Sequence, residues 1–509
     1  MPSPMIADEL IFNIKQCLVF APTQEQDRAL LAFARFLTSR DDRAMMLLRG
    51  SAGTGKTTLS GAIVRTMRRL RQKVVLLAPT GRAAKVLALN SSHTAYTIHR
   101  RIYRQKSMEG AFSLAPNMHT DTLFIVDEAS MIANDGLRET LFGTGRLLDD
   151  LVSYVYSGRN CRMMLVGDKA QLPPVGEEES PALCGDFMRG YGLQVYEADL
   201  NEVLRQSSES GILYNATVVR RMITHDEATQ LPKIRFQGFA DIVMVPGDEL
   251  IERLASSYSE VGLDETMVVT RSNKRANIYN QGIRNTVLWR EEQLTTGDML
   301  MIVKNNYFWT EADAAANTTA ARQTGGGRQQ AMDGTTTGNA PDEGLATPGF
   351  IANGDRAVVQ RVRNQRELYG FHFADMWLQF PDYDNYELKA TVITDSLTTE
   401  APALTPEQNR RLYDEVMLDY ADIPSKPERM KKLKQDPYYN AIQIKYAYAV
   451  TCHKAQGGQW AHVYVDQGYM TDEMLSPDYI HWLYTAFTRA TEKLFLVNWP
   501  KTQTAVLTD

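Results

Sequence analysis

The 509-residue sequence is poor in cysteine and contains no long apolar run. Its four cysteines show no C-x-x-C spacing, which argues against a disulfide scaffold or a zinc ribbon and favours a reducing compartment. No stretch approaches the roughly 18 apolar residues of a membrane span. The first ten residues lack the basic flank and apolar centre of a signal peptide. These absences predict a globular, cytoplasmic protein of three or four domains without a membrane partner.

Acidic residues are missing from one long segment of the chain. The whole sequence has 55 Lys or Arg and 61 Asp or Glu, a net charge of −6, yet residues 43–108 contain 14 Lys or Arg and no Asp or Glu. A short run of this kind would be a solvated surface, but this segment is long and includes a buried-looking strand at 73–78. We therefore expect its loops and helix ends to direct positive charge at phosphate groups.

Short apolar stretches alternate with helical patterns, which predicts an α/β fold with parallel strands buried on both faces. One set of strands is predicted at residues 45–48, 74–78, 122–126 and 163–166. A second set is predicted at 267–270, 446–450, 462–465 and 494–497. The wide gap within the second set indicates a second α/β domain that is interrupted by an insertion.

The insertion has two unlike parts. Residues 310–348 include 23 Ala, Thr or Gly among 39 residues and no aromatic residue, Ile or Val, so they are predicted to form a mobile loop. After residue 355, short β-like runs are rich in aromatic side chains. We interpret these as the core of a small β-barrel rather than as a surface that stacks nucleic-acid bases.

Residues 50–57, with the sequence GSAGTGKT, match the phosphate-binding pattern G-x-x-x-x-G-K-[ST] between an apolar strand and a helix. The glycines let backbone N–H groups surround phosphate oxygens, Lys56 reaches the β and γ phosphates, and Thr57 ligates Mg²⁺. ATP and Mg²⁺ are therefore the predicted cofactors. The predicted nucleotide-binding residues of this loop are Gly50, Ser51, Ala52, Gly53, Thr54, Gly55, Lys56, Thr57 and Thr58.

Two acidic residues follow the strand predicted at 122–126. Asp127 and Glu128 should emerge at the carboxyl edge of the sheet, where ligands bind in this fold class. Asp127 is predicted to hold Mg²⁺ together with Thr57, and Glu128 to polarise the attacking water. A switch that only binds nucleotide would not need the second acid, so Glu128 favours hydrolysis.

Three more residues are candidates for the catalytic site. Gln171 follows the strand at 163–166 and is positioned to contact the γ-phosphate, although an ordinary proline-stiffened turn explains the same sequence equally well. Arg205 and Arg489 each lie beside a helical apolar stripe, where a single arginine is usually a surface residue. Because the two arginines belong to different α/β domains, together they could clamp a γ-phosphate between those domains.

The motifs, taken in order, resemble the superfamily 1B DNA helicases of the RecD/Dda/PIF type. The segments that carry the resemblance are GSAGTGKT, LAPTGRAAKVL, TIHR, FIVDEAS, LVGDKAQLPPVG, LNEVLRQ, VTRSNKRANIYNQ, AVTCHKAQGGQW and YTAFTRA. The resemblance implies two RecA-like P-loop NTPase domains with ATP between them, single-stranded and forked DNA as substrates, and 5′-to-3′ movement. The extended PIF signature is not found between FIVDEAS and LVGDKAQ, which favours the RecD or Dda type and leaves the subfamily open.

The same resemblance implies a source and partners. It points to a monomer of bacterial, phage or mobile-element type, with replication, repair or recombination proteins as candidate partners. Two other functions fit the motifs. A nucleotide-dependent switch or loader would bind DNA without directional strand displacement, and an RNA-directed or protein-remodelling ATPase would act on a different substrate, although no RNP-like aromatic motif is found.

The resemblance also assigns roles to individual residues. Gln26 would read the adenine, and Gln456 would link a strand-contacting loop to ATP. His99 and His453 are assigned to the DNA strand, whereas an isolated histidine is more often a satisfied core residue. The predicted DNA contacts are Thr80, Arg82, Thr97, His99, Phe112, Thr270, Lys274, Thr451, His453 and Lys454.

The implied domain order contains two insertions. A β-hairpin pin with Phe112 as its wedge would split the duplex, and an SH3-like β subdomain would interrupt the second RecA-like domain. The predicted ranges are 1–95 and 121–209 for the first RecA-like domain, 96–120 for the pin, 210–355 and 446–509 for the second RecA-like domain, and 356–445 for the SH3-like subdomain.

Overall fold

The computed structural model describes residues 4–105, 112–134, 143–202, 209–224, 231–310, 313 and 350–505. Contacts divide the chain into two compact units. The first consists of Met1–Trp289 and Tyr448–Asp509, and the second consists of Arg290–Ala447. Within the described ranges, no helix combines the length and the apolar character that crossing a bilayer requires.

The first unit begins with an α/β half that is built on a six-stranded parallel sheet of order β3-β2-β6-β7-β1-β8. Its elements are α1 (Pro4–Lys15), α2 (Gln24–Leu37), β1 (Ala44–Gly50), α3 (Lys56–Arg69), β2 (Lys73–Ala78), α4 (Gly81–Ser91), β3 (Ala95–Thr97), α5 (Ile98–Ile102), β4 (Tyr103–Gln105), β5 (Phe112–Leu114), β6 (Thr122–Val126), α6 (Leu147–Ser157), β7 (Arg162–Gly167), α7 (Gly185–Gly190) and β8 (Gln194–Leu200).

The core of this half lies between the sheet and helices α1 to α4. Phe33 and Phe36 of α2 pack with Leu48 of β1 and with Leu59 and Ile63 of α3, and all five side chains are buried. The central strands β1, β6 and β7 are apolar along nearly their whole length because both of their faces are covered. Burial of these strands fixes the loops at their carboxyl ends, where the sequence motifs lie.

A second α/β half of the same unit starts with α8 (Gly211–Thr224), β9 (Ile242–Val245), α9 (Leu250–Glu260), β10 (Thr266–Thr270) and α10 (Asn273–Gly282). The chain then forms the second unit, which contains β11 (Met299–Ile302), β12 (Arg356–Leu368), β13 (Phe371–Phe380), β14 (Tyr386–Ile393), α11 (Pro406–Leu418), α12 (Lys426–Lys434) and β15 (Ile442–Tyr446). Its five strands close into a barrel.

The chain finally returns to the first unit with β16 (Ala449–Thr451), α13 (Cys452–Ala455), β17 (Trp460–Asp466), α14 (Pro477–Phe487) and β18 (Ala490–Val497). These strands complete a second parallel sheet of order β16-β10-β17-β18-β9. The first unit therefore contains two parallel α/β sheets, which agrees with the predicted fold class.

Most aromatic side chains of β13 are buried. Phe371 and Phe373 pack in one cluster with apolar residues of helices α11 and α12, and Phe380 is also buried. Trp377 is an exception because it is half-buried, with Arg361 and Lys389 stacked against its ring at 5.6 and 5.2 Å from the ring centre. A capping box begins α11: Thr405 accepts from the Gln408 N–H, and the Gln408 side chain accepts from the Thr405 N–H.

Three features of the fold differ from the sequence predictions. The single strand predicted at 446–450 is two strands, since β15 ends in the barrel at Tyr446 and β16 begins the return to the parallel sheet at Ala449. Strand β11 pairs with β12 and β15, so the barrel includes residues well before the predicted boundary at 356. Strands β3 and β8 were not predicted, because β3 has three residues and β8 is a half-exposed edge strand without a continuous apolar run.

The predicted pin corresponds to two short antiparallel strands, β4 and β5, with Tyr103 opposite Leu114. The turn between them and the side chain of Phe112 lie outside the described residues, so the wedge role stays a prediction. Most of the predicted mobile loop at 310–348 also lies outside the described residues. The SH3-like assignment of the barrel likewise stays a prediction.

Candidate active site

The phosphate-binding loop connects the end of β1 to the start of α3. Gly53 and Gly55 adopt positive φ angles of 77° and 85°. A residue with a side chain would have a strained backbone at these angles. Gly50 is required for a different reason: a Cβ atom there would lie 2.7 Å from the Thr54 hydroxyl and 2.9 Å from Cβ of Leu200. The glycines of the motif therefore permit the tight backbone turn that a phosphate-binding loop requires.

Lys56 lies over this loop. Its ammonium donates to the carbonyl oxygens of Gly50 and Ser51 at 2.5 and 2.8 Å, and it lies 4.0 Å from the Asp168 carboxylate. The Thr54 hydroxyl donates to the same Ser51 carbonyl at 2.8 Å. The positive charge of Lys56 is thus held at the loop by backbone carbonyl groups and one nearby acid.

Gln26 connects helix α2 to the loop. Its side chain forms a capping box with Thr23 at the start of α2, and its Nε2 donates to the Thr54 carbonyl at 3.1 Å. Gln26 is buried, with 6% of its surface exposed. Its predicted adenine contact stays a prediction, while the observed bonds explain why glutamine suits this position.

Asp127 and Glu128 follow β6, as predicted. Glu128 has a positive φ of 52°, and its backbone N–H donates to the Asp127 carboxylate at 2.9 Å. Burial, with the neighbouring Glu128 charge, raises the pKa of Asp127 to about 6. The two acids line a cleft of about 370 Å³ together with Thr57 and Thr58. A threonine hydroxyl beside two carboxylates supplies the oxygen ligands that Mg²⁺ prefers, so these residues fit the predicted metal.

The loop after β7 carries Asp168, Gln171 and Leu172. The Asp168 carboxylate is buried and accepts from the Ala170 N–H at 2.9 Å. The side-chain oxygen of Gln171 is buried and has no hydrogen-bond partner in the part of the chain that the structure describes. A buried amide oxygen without a partner is costly, and a water molecule or ligand at this position would satisfy it.

Side chains of the second α/β half bond directly to this loop. On α14, Thr485 accepts from the Leu172 N–H at 2.8 Å, and Nδ1 of His481 lies 2.9 Å from the Ala170 carbonyl oxygen. Gln456, which follows α13, donates to the Leu172 carbonyl at 2.7 Å. Gln456 thus joins the segment after β16 to the loop after β7, while its predicted link to ATP stays a prediction.

The structure describes one of the two predicted arginines, so the proposed clamp stays a prediction. Arg205 lies outside the described residues. Arg489 is 2% exposed, and its guanidinium donates to the carbonyls of Thr485 and Gly458 at 3.0 and 3.1 Å. Arg220 on α8, which the sequence analysis did not identify, donates to the Ser51 hydroxyl of the phosphate loop. No local signal distinguishes Arg220, since it belongs to a tandem pair on an amphipathic helix.

Several threonines predicted to contact DNA have roles within the fold. Thr80 accepts from the Ala83 N–H at 3.2 Å and caps α4, and Thr97 accepts from the Arg100 N–H at 3.3 Å and caps α5. Thr270 has no exposed surface, and its hydroxyl donates to the Ser272 carbonyl at 3.1 Å. The predicted contact of Thr270 with the DNA strand stays a prediction, and the two residues that follow it, Arg271 and Ser272, are exposed.

The remaining predicted DNA contacts differ in their burial and in their partners. Arg82 bonds to the Gln459 carbonyl at 2.5 Å and stacks on Trp460, so it joins the two α/β halves. Burial lowers the pKa of His99 to about 4, so this histidine is neutral at physiological pH. Lys454 is half-buried, and burial lowers its pKa to about 8. Among the remaining candidates, His453 and Lys274 are exposed and Thr451 is half-buried.

The chain is similar in sequence to two protein families and to known DNA helicases. Two family models match the chain, an AAA domain over residues 22–233 and a UvrD-like helicase C-terminal domain over residues 446–497. The ATP-dependent RecD2 DNA helicase of Deinococcus radiodurans is 34% identical over 137 residues, which are 26% of this chain and 16% of that protein. The ATP-dependent DNA helicase dda of Enterobacteria phage T4 is 24% identical over 275 residues, which are 52% of this chain and 57% of that protein.

The predicted resemblance to DNA helicases of the RecD and Dda type is confirmed. The matched segments span less than two thirds of each of these two helicases. Among solved structures, a Bacteroides Pif1 helicase in complex with ADP-AlF3 and ssDNA covers 96% of this chain and 95% of its own, with 14% identity and a TM-score of 0.44.

The AAA-domain match over residues 22–233 includes the whole phosphate loop. A substitution in this loop tests its assignment. We expect Gly50→Ala to weaken binding of a fluorescent ATP analogue at least about tenfold, because the new Cβ overpacks against Thr54 and Leu200. Gly190→Ala is the matched control, since a Cβ at Gly190 meets no atom within 4 Å. Equal affinity of both variants and the unmodified protein would contradict the assignment of this loop.

Proposed function

We propose that the chain is an ATP-dependent DNA helicase that moves 5′-to-3′ on single-stranded DNA and opens the duplex ahead of it. The observation that carries this proposal is the hydrogen bond between Gln456 and the Leu172 carbonyl. It joins the segment that contains His453 and Lys454 to the loop that contains Gln171. A change in the position of the Leu172 loop on nucleotide binding would therefore move the segment that is the candidate for binding the DNA strand. The polarity rests on the family resemblance.

The chemistry of hydrolysis follows from the side chains around the cleft. Lys56 would leave its backbone carbonyl partners to bind the β and γ phosphates. Glu128 would orient and polarise the attacking water. The buried oxygen of Gln171, which has no partner among the described residues, is a second group suited to accept from that water. Mg²⁺ held by Thr57 and Asp127 would neutralise the charge that develops on the phosphates. The positive charge of a bound Mg²⁺ would favour the ionised form of Asp127 and oppose the effect of its burial.

Lys454 is the candidate for binding a phosphate group of the DNA backbone. It forms no ion pair with the described residues, and burial alone lowers its pKa, so its charge lacks a compensating acid. A backbone phosphate would supply the missing negative charge. Contacts of this kind position a strand without reading its sequence, so little sequence preference is expected.

In the proposed cycle, ATP binding brings the two α/β halves of the first unit together, and hydrolysis lets them separate while the grip on the strand alternates. Opening DNA costs about 1.4 kcal/mol for each base-pair step. An advance of one base per ATP is therefore energetically reasonable.

Unwinding of tailed duplexes tests the proposed function. We expect strand displacement with Mg-ATP on a duplex with a 5′ single-stranded tail and none on a duplex with only a 3′ tail. Lys56→Ala should abolish both hydrolysis and displacement, because it removes the charge that binds the β and γ phosphates. Displacement only on the 3′-tailed duplex would overturn the polarity. ATP-dependent binding without any displacement would favour a switch or loader.

The proposed role of Lys454 makes DNA binding depend on pH. Since its pKa is about 8 and phosphate binds only the protonated form, affinity should fall as the pH rises from 7 to 9 at constant ionic strength. We expect a loss of about fivefold, roughly 1 kcal/mol for one phosphate contact, in fluorescence anisotropy with a labelled oligonucleotide.

Lys454→Arg should flatten this pH profile, because arginine stays charged at pH 9. Lys501→Arg, on an exposed lysine that is not among the predicted DNA contacts, should keep the profile of the unmodified protein. A Lys454→Arg variant that still loses affinity between pH 7 and 9 would show that another group titrates.

A further inference from the structure

Two side chains of the second α/β half contact the phosphate loop itself. The hydroxyl of Tyr484 on α14 accepts from the Ala52 N–H at 2.8 Å and donates to the Asp168 carboxylate at 2.6 Å. One oxygen atom thus bridges the phosphate loop and the loop after β7. Neither Tyr484 nor Asp168 was assigned a role by the motif analysis, although both lie within quoted motifs.

The second contact comes from Arg220 on α8, a helix that packs against α14. Its guanidinium donates to the Ser51 hydroxyl and to the Asn201 carbonyl, the latter at 3.3 Å. Lys56 bonds to the carbonyl of the same Ser51. Because Lys56 is the group expected to reach the β and γ phosphates, Arg220 is held next to the phosphate-facing part of the loop.

The Tyr484 contact is in a buried environment, which makes its loss expensive. Tyr484 is 1% exposed, and burial together with the Asp168 charge raises the pKa of its phenol well above the usual value. The phenol therefore stays protonated and donates to a carboxylate, a type of hydrogen bond about twice as strong as a neutral one. Without the hydroxyl, the Ala52 N–H and one Asp168 oxygen would each lose a partner.

We propose that Tyr484 and Arg220 are positioning residues that clasp the first turn of the phosphate loop, Ser51 and Ala52, from the second α/β half. Contact between the halves would then set the geometry of the loop for hydrolysis, without either residue touching the nucleotide. The proposal deepens the proposed ATPase and rests on it. It differs from the predicted role of Arg489, which bonds to carbonyls of its own half.

The clasp is tested by Tyr484→Phe, which removes only the hydroxyl, with Tyr479→Phe as the matched control. Tyr479 lies on the same helix, is equally buried, and donates to Gln467 rather than to the phosphate loop. In the full-length protein, we expect Tyr484→Phe to lower kcat for DNA-stimulated ATP hydrolysis about tenfold and to change KM less than about threefold. Tyr479→Phe should leave both parameters within about twofold.

Hydrogen exchange gives a second readout that does not require hydrolysis. The amide of Ala52 should exchange faster in Tyr484→Phe than in the unmodified protein and in Tyr479→Phe, because it has lost its acceptor. Unchanged kcat together with unchanged exchange at residues 50–57 would overturn the clasp. If the unmodified protein does not hydrolyse ATP, the proposed function fails, whereas the exchange measurement still decides whether the clasp exists.

Arg220 is tested by the pair Arg220→Gln and Arg220→Lys. Since the guanidinium reaches Ser51, the glutamine variant should lower kcat about as much as Tyr484→Phe, and lysine should restore part of the loss. The neighbouring Arg221→Gln, on an exposed side chain, serves as the control. Equal kcat for Arg220→Gln and Arg221→Gln would exclude Arg220 from the clasp.

Discussion

The loop after β7 satisfies only some of its buried polar groups by itself, and the nucleotide site depends on this constraint. Buried N–H, carbonyl and carboxylate groups need hydrogen-bond partners, and four of the partners here belong to the second α/β half. Tyr484 donates to the Asp168 carboxylate, Gln456 donates to the Leu172 carbonyl, Thr485 accepts from the Leu172 N–H, and His481 bonds to the Ala170 carbonyl. If the two halves separated, these polar groups would lose their protein partners and would have to form hydrogen bonds with water.

This arrangement explains why the candidate catalytic groups are distributed over two parallel sheets. The first sheet supplies the phosphate loop and the acid pair, which follow buried strands. The second sheet supplies side chains that bond to the loop after β7, and the segment with Gln456 also contains Lys454, the proposed phosphate contact. In the proposed function, a nucleotide-dependent change in the contact between the halves would act on both sites, as a translocating motor requires.

Much of the first sheet and the phosphate loop could be predicted because their signals are local. A buried parallel strand has a continuous apolar run, and the loop has a fixed spacing of glycines before Lys56. Long-range contacts had no such signal: nothing in the sequence connects Arg220 to Ser51 or distinguishes the hydroxyl of Tyr484. The sequence likewise did not indicate that the side chain of Thr270 is buried.

The coupling of DNA to hydrolysis through Gln456 is the central claim, and one ratio tests it directly. The rate of ATP hydrolysis with a single-stranded oligonucleotide is divided by the rate without it, for the unmodified protein, for Gln456→Ala and for Gln467→Ala. Gln467 is an equally buried glutamine that bonds to Gln503, away from the Leu172 loop. We expect Gln456→Ala to lower the ratio about tenfold, the effect of one buried hydrogen bond, and Gln467→Ala to preserve it. An unchanged ratio in Gln456→Ala would contradict the account.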